Sequence, residues 1–307
     1  MFCFSFDFEL LWGLRESTLN KRHYLNVERG RETIPQVLEV FSEYKISATW
    51  AIVGAMFANS KSELESILDG SDAFDSRNRE YLREKVGANE SDDPFHFARS
   101  LIEIIKSTDG QEIATHSMFH DFLTSSRSYE SRLHRDLSRA IQIMERSDCK
   151  PVSIVFPRNQ FQFSSESVCR ELGITRFRTN QPHWAYAMEK KSARNVCARL
   201  YRYLDAVLPI YKPSFKQVDQ KRVHSHNAAN RFLRVSESSV INSLHLSRIL
   251  GEMKQSAMQG GSYHLWTHPH NLGINPKGSV KMIKEICAYQ SELLLKYDFR
   301  SVNMREW

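Results

Sequence analysis

Short apolar runs alternate with amphipathic stretches along almost the whole chain, and this alternation limits the possible folds more than any other feature. Runs at 2–8, 46–57, 112–115, 152–156, 174–178 and 262–267 have the length and the β-branched or aromatic character of strands. Between them, Ile34, Val37, Leu38 and Phe41 recur at helical spacing over about 32–44. Leu133, Leu137, Ile141 and Met144 do the same over about 128–147. Further helices are expected over 164–172, closed by Gly173, over about 239–258 and over 279–296, with a last strand near 299–303. Such alternation packs as a parallel sheet or barrel, so the expected class is α/β.

Two stretches depart from the pattern. Residues 61–110 read as charged helix broken near Gly87 and Pro94, longer than one crossover helix, and so as a helical insertion. Residues 180–235 are irregular, basic and aromatic, and read as a second insertion. No repeat, low-complexity tract or linker divides the chain, so residues 1–307 are expected to form a single domain.

Composition removes several function classes. Hydrophobic content of 41% and charged content of 25% belong to a globular chain with ample core. The net charge of +6, from 42 Lys+Arg against 36 Asp+Glu, is mild, and no basic cluster is interleaved with aromatics as nucleic-acid binding would require. Five scattered cysteines without a CxxC pair indicate reduced thiols rather than a disulfide framework. No apolar run approaches a transmembrane length, and no secretion signal precedes the first strand, so a cytoplasmic location is expected, with at most peripheral membrane contact.

The polar residues of interest follow the strands. Asp7 and Glu9 end the first run and share one face of its pleat. His116 and His120 follow the run at 112–115, four residues apart, so a helical turn would bring both imidazoles to one side. Arg158 follows the run at 152–156, and His268 and His270 follow the run at 262–267. In α/β barrels the C-terminal strand ends build the active site. Two carboxylates and two imidazoles make a ligand set for a hydrolytic divalent metal with one base left over. Taken alone, each element has an ordinary explanation: a turn-forming acid, a surface histidine pair, a solvated arginine. The pair His224 and His226 reads as surface, at most substrate-facing.

Together these segments resemble the polysaccharide deacetylase family (NodB homology, carbohydrate esterase family 4), in the branch with a D-x-E first motif. His116-Ser117-Met118-Phe119-His120 is similar to its His-Ser/Thr-x-x-His metal motif. Asp7 and Glu9 resemble its base and metal-binding acid, Pro157-Arg158 its base-orienting arginine, and His268 its catalytic histidine. Glu9 stands where Asp is usual, and Asn159-Gln160-Phe161 replaces an aromatic end.

The resemblance implies a distorted (β/α) barrel. It also implies a divalent metal, Zn²⁺ first and Co²⁺ or another ion next, held by Glu9, His116 and His120. Asn159, Gln160, Trp184 and His270 would face substrate. The implied activity is N-deacetylation of an acetamido sugar of surface-polysaccharide (O-antigen-like) synthesis, with a nucleotide- or lipid-pyrophosphate-linked form among the expected substrates. Its phosphates would meet the basic set Arg176, Arg178, Lys190, Lys191, Arg194, Arg199 and Arg202. The competing expectations are a hydrolase of another small amide or ureide on the same fold, and a glycan-binding pseudoenzyme without turnover.

Overall fold

A computed structural model describes residues 1–68, 70, 73–121, 129–187, 195–213, 215 and 225–307. Its centre is an eight-stranded, wholly parallel sheet in the order β6-β5-β4-β3-β2-β1-β8-β7. The strands are β1 (Phe2–Phe8), β2 (Ala48–Ile52), β3 (Gln111–Thr115), β4 (Ser153–Ile154), β5 (Arg176–Thr179), β6 (Ser225–Ala228), β7 (Arg231–Phe232) and β8 (Tyr263–Thr267). The sheet curls because β6 pairs with β5 while β7, two residues later, pairs with β8. The link between them is bonded to both edges: Ala229 N–H donates to Thr179 O at 2.9 Å and Asn230 N–H to His264 O at 2.8 Å. One segment thus closes a distorted (β/α) barrel, as the resemblance implied. The stretch read as an irregular insertion supplies this closure.

Alternation along β1 sets the two faces. Phe2, Phe4, Phe6 and Phe8 are buried against the helical layer, with Phe6 stacked on Trp50 at 4.2 Å and tilted against Phe41 at 5.8 Å. Cys3, Ser5 and Asp7 point the other way, into a lumen that also holds the polar side chains of Glu112, Arg178 and His264. A buried polar lumen requires internal partners, which makes it the natural place for chemistry.

Most helices match their periodicity: α5 (Tyr129–Glu145), α6 (Ser165–Glu171), α8 (Ser239–Met258) and, after the single turn α9 (Pro269–Leu272), α10 (Pro276–Tyr297). The first, α1 (Lys21–Tyr44), begins earlier than its apolar spacing indicates. Its opening turns are polar, but Asn20 and His23 form a reciprocal cap that satisfies the free amides there. Residues 61–110 contain α2 (Lys61–Ile67), α3 (Ala73–Lys85) and α4 (Arg99–Ser107), docked through a buried bidentate pair of Arg139 with Asp75 at 2.7 and 2.8 Å. The 180–235 stretch also carries α7 (Val196–Val207). The expected last strand is reduced to one bridge, Phe2 with Ser301. Beyond it the tail covers the N-terminal end of the lumen. Met304 N–H donates to Thr49 Oγ1 at 2.7 Å, Arg305 N–H to Glu112 Oε2 at 3.0 Å, and buried Trp307 packs on the His264 ring at 5.1 Å.

Candidate active site

The C-terminal strand ends bring Asp7, Glu9, His116, His120 and His268 together. Glu9 Oε2 lies 3.3 Å from His116 Nε2 and 3.0 Å from His120 Nε2, and all three residues are buried. Their ligand atoms lie within 4.8 Å of one another, close enough to hold one metal ion. His116 Nδ1 sits 2.7 Å from Val155 O, so that nitrogen carries the proton and the Nε2 lone pair faces Glu9. Nε2 makes no hydrogen bond among the described residues, although it is buried. A lone pair facing a carboxylate oxygen is repulsive unless a cation lies between them. The donor set therefore fits a divalent ion, with an imidazole already oriented from behind.

The local backbone differs from the helical turn expected for His116–His120. Ser117 and His120 adopt left-handed φ of 68° and 57°, and the segment is a tight loop. Its amides and carbonyls explain this path. His120 N–H donates to Ser117 Oγ at 3.1 Å, Met118 N–H to Asp136 Oδ2 at 3.1 Å, and Gly54 and Ala55 N–H bond to Ser117 O and Met118 O. Glu9 lies against Gly13, where a Cβ would stand 2.1 Å from the Glu9 Cδ. Only glycine leaves that space open.

Asp7 is held by a different arginine from the one expected. Arg178 on β5 donates Nη1 and Nη2 to the two Asp7 oxygens at 2.5 and 2.6 Å, and Nη1 also reaches Ser5 Oγ at 3.1 Å. Arg158 instead pairs with Glu16 at 2.9 Å on the surface. The correction has a geometric cause. Arg158 itself adopts φ 53° in the turn after β4, whereas Arg178 lies within β5 and projects into the lumen. Arg178 is consequently not available to substrate phosphates.

Burial works to raise the Asp7 pKa, but the charge and hydrogen bonds of Arg178, helped by His268, outweigh it and hold the carboxyl below its usual range. Burial likewise opposes ionisation of Glu9, and the three surrounding histidines, His268 foremost, bring it well below that range. Burial lowers the pKa of His120 despite the opposing charge of Glu9, which favours the neutral, ligating imidazole.

His268 Nε2 lies 3.5 Å from Glu9 Oε1 and 3.8 Å from Asp7 Oδ2, and its side chain retains 21% exposure toward a cavity that Asn159 also lines. The other expected substrate contacts separate. Asn159 Oδ1 accepts from Arg178, at 3.2 Å from Nε and 2.5 Å from Nη2, so it also braces the arginine. Gln160 lines a different, small cavity beside Ser117 and Tyr129. Trp184 is half-exposed against Tyr201. His270 is half-buried beside His268, their rings stacked at 4.9 Å, with its pKa lowered by burial to about 4. His226 pairs with Glu166 at 2.9 Å, while His224, Lys190, Lys191 and Arg194 fall outside the described residues.

Arg178, Gly13 and the Ser5–His264 pair, 2.8 Å apart, were not singled out for this centre by sequence reasoning. For Arg178 a signal existed. In Arg-Phe-Arg-Thr the two arginines alternate with a buried Phe177, placing both off the helical face of the strand.

A family model described as polysaccharide deacetylase matches residues 15–177. That span contains His116 and His120 but not Asp7, Glu9, Arg178 or His268, whose roles rest on geometry. No curated protein sequence matches the chain. A structure described as a polysaccharide deacetylase from Mycobacterium smegmatis is similar at 13% identity and TM-score 0.56, covering 98% of this chain and 91% of that one. The α-amylase AmyC from Thermotoga maritima is similar at 12% identity and TM-score 0.53, covering 100% and 73%. A GH57-type branching enzyme from Pyrococcus horikoshii is similar at 12% identity and TM-score 0.50, covering 99% and 69%. These likenesses establish the NodB-type barrel. Because enzymes of different activity share it, activity has to be argued from the site.

Proposed function

Since the chain belongs to the polysaccharide deacetylase family, we propose that it is a divalent-metal-dependent N-deacetylase that removes the acetyl group from an acetamido sugar. The observation that carries this reading is the buried Glu9, His116 and His120 cluster, with the His116 Nε2 lone pair unsatisfied, beside an Asp7 held ionised by Arg178.

A divalent ion bound there would lower the pKa of a water and polarise the acetamido carbonyl. Asp7 takes a proton from the attacking water. Arg178 fixes the plane of that carboxylate and keeps it ionised, and Asn159 and Ser5 fix Arg178. His268, between the carboxylates and the cavity, gives a proton to the departing nitrogen, leaving acetate and a free amine. Zn²⁺ suits a mixed imidazole–carboxylate set, and Co²⁺ is the natural substitute.

The finer reading is a single catalytic domain acting in the cytoplasm on an intermediate of surface-polysaccharide (O-antigen-like) synthesis. None of the described helices is long and apolar enough to cross a membrane. The test is acetate release from N-acetylated sugars by metal-supplemented wild type, Asp7→Asn and His116→Ala. Losing the base is expected to cost roughly 10²- to 10⁴-fold in rate. Undiminished turnover in either variant would sink the assignment.

A further inference from the structure

Where His268 meets solvent there is a cavity of about 210 Å³, lined among others by Gln181, Arg202, Phe232, Arg234 and Trp266. A second cavity of about 180 Å³ adjoins it and shares Phe232 and Arg234. Among the described residues, arginines line this space and no carboxylate does. Arg231 is already neutralised, by Asp205 at 2.7 Å and Glu252 at 2.5 Å, and half-buried Arg248 pairs with Glu252 at 2.9 Å, so these four charges balance.

Arg234 is different. Its guanidinium lies over the Phe232 ring at 5.3 Å, and among the described residues no carboxylate stands within ion-pair reach of it. Burial lowers its pKa, with the like charges of Arg202 and Arg231 adding to the fall and Tyr186 and Tyr203 opposing it. A second group in the cavity also lacks a partner. Among the described residues the Gln181 Oε1 is buried without a hydrogen bond, while its Nε2 donates to Asn230 O. A half-buried guanidinium without a counter-charge and a buried acceptor without a donor are both costly, and both are relieved by a ligand carrying an anion and hydroxyls.

We propose that this cavity is a subsite for an anionic group carried by the substrate, a phosphate or carboxylate attached to the acetamido sugar, with Arg234 as its counter-charge and Arg202 beside it. The inference rests on the deacetylase reading of the adjoining centre. The Phe232 ring stands 5.6 Å from His268 and 5.3 Å from the Arg234 guanidinium, so one aromatic ring separates the proton donor from the anion anchor. The planar fork of arginine matches both phosphate and carboxylate, and Gln181 Oε1 would take a sugar hydroxyl.

The experiment has a binding arm and a turnover arm. Calorimetry of inorganic pyrophosphate and of glucuronate, in chelator so that neither binds metal, compares wild type with Arg234→Ala and Arg234→Lys. Wild type is expected to bind at least one probe, which also tells phosphate from carboxylate. Arg234→Ala is expected to weaken that binding roughly ten- to a hundredfold, a charged hydrogen bond's worth, with Arg234→Lys between. Arg234→Lys is decisive if circular dichroism shows the alanine variant misfolded. In the turnover arm, Arg234→Ala is expected to lower kcat/KM for N-acetylglucosamine 1-phosphate roughly tenfold more than for N-acetylglucosamine. Absence of anion binding by wild type, or equal binding by the folded variants, would overturn the subsite. No acetate release from any sugar, with anion binding intact, would overturn the deacetylase reading instead.

Discussion

Two buried carboxylates two residues apart carry different burdens, and their partners decide which. Asp7 faces a guanidinium and stays an acceptor of protons, while Glu9 faces the Nε2 atoms of His116 and His120 and calls for a cation. Removing Arg178 would strand the Asp7 charge in the lumen, so Arg178→Ala is expected to lose activity and about 3–5 kcal/mol of stability in urea unfolding. Arg158→Ala, changing a surface pair, is expected to keep wild-type acetate release and stay within about 0.5 kcal/mol. The reverse ranking would return Arg158 to the site. Gly13→Ala pushes a methyl into the Glu9 carboxylate and is expected to weaken Zn²⁺ binding roughly 10- to 100-fold in a competition titration, and unchanged affinity would remove Glu9 from the ligand set. Asp7, Glu9, His116, His120 and His268 were legible in the sequence because each ends a recognisable apolar run. Arg178 was misassigned because its partner lies 171 positions away, and only the curl of the sheet brings β5 opposite β1.

The ligand loop shows how a neighbouring element shapes a site. Residues 116–120 were expected to turn helically, yet the loop is pulled open by side chains from outside its own sequence, Asp136 of α5 chief among them. Burial pushes the Asp136 carboxyl up to about 7, against the hydrogen bond from Met118, with the charge of Asp121 adding to the rise. A carboxyl whose folded pKa of about 7 exceeds its ordinary 3.8 is held protonated more tightly by the fold than by the unfolded chain. Its stabilising contribution is full below about pH 4 and is lost as pH rises through about 7. In chelator-treated protein the urea midpoint is therefore expected to fall between about pH 5 and pH 8, and Asp136→Asn to flatten that fall. An equally steep fall in the variant would assign the slope to another group.

At the scale of the whole molecule, a parallel barrel with a polar lumen needs both ends managed. The C-terminal strand ends carry the site, and the tail shields the opposite end, with Trp307 buried on His264 and the Met304 and Arg305 amides on Thr49 and Glu112. Trp307→Ala is expected to cost about 3–5 kcal/mol in urea unfolding while leaving the metal ligands in place. A change within error would mean the tail only rests on the barrel. The barrel class was readable because strand–helix alternation survives in the apolar pattern of β1 to β5 and β8. Its closure was not, because β6 and β7 are short and bonded through their backbones, which leaves no hydrophobic period to detect.

The central claim is that Glu9, His116 and His120 hold a divalent cation beside Asp7. Anomalous diffraction at the zinc edge, from crystals grown with Zn²⁺, tests it most directly. The expected result is one dominant peak about 2.0–2.2 Å from Glu9 Oε2, His116 Nε2 and His120 Nε2, with Asp7 still on Arg178. A fully occupied peak elsewhere, or none among these three side chains, would contradict the account.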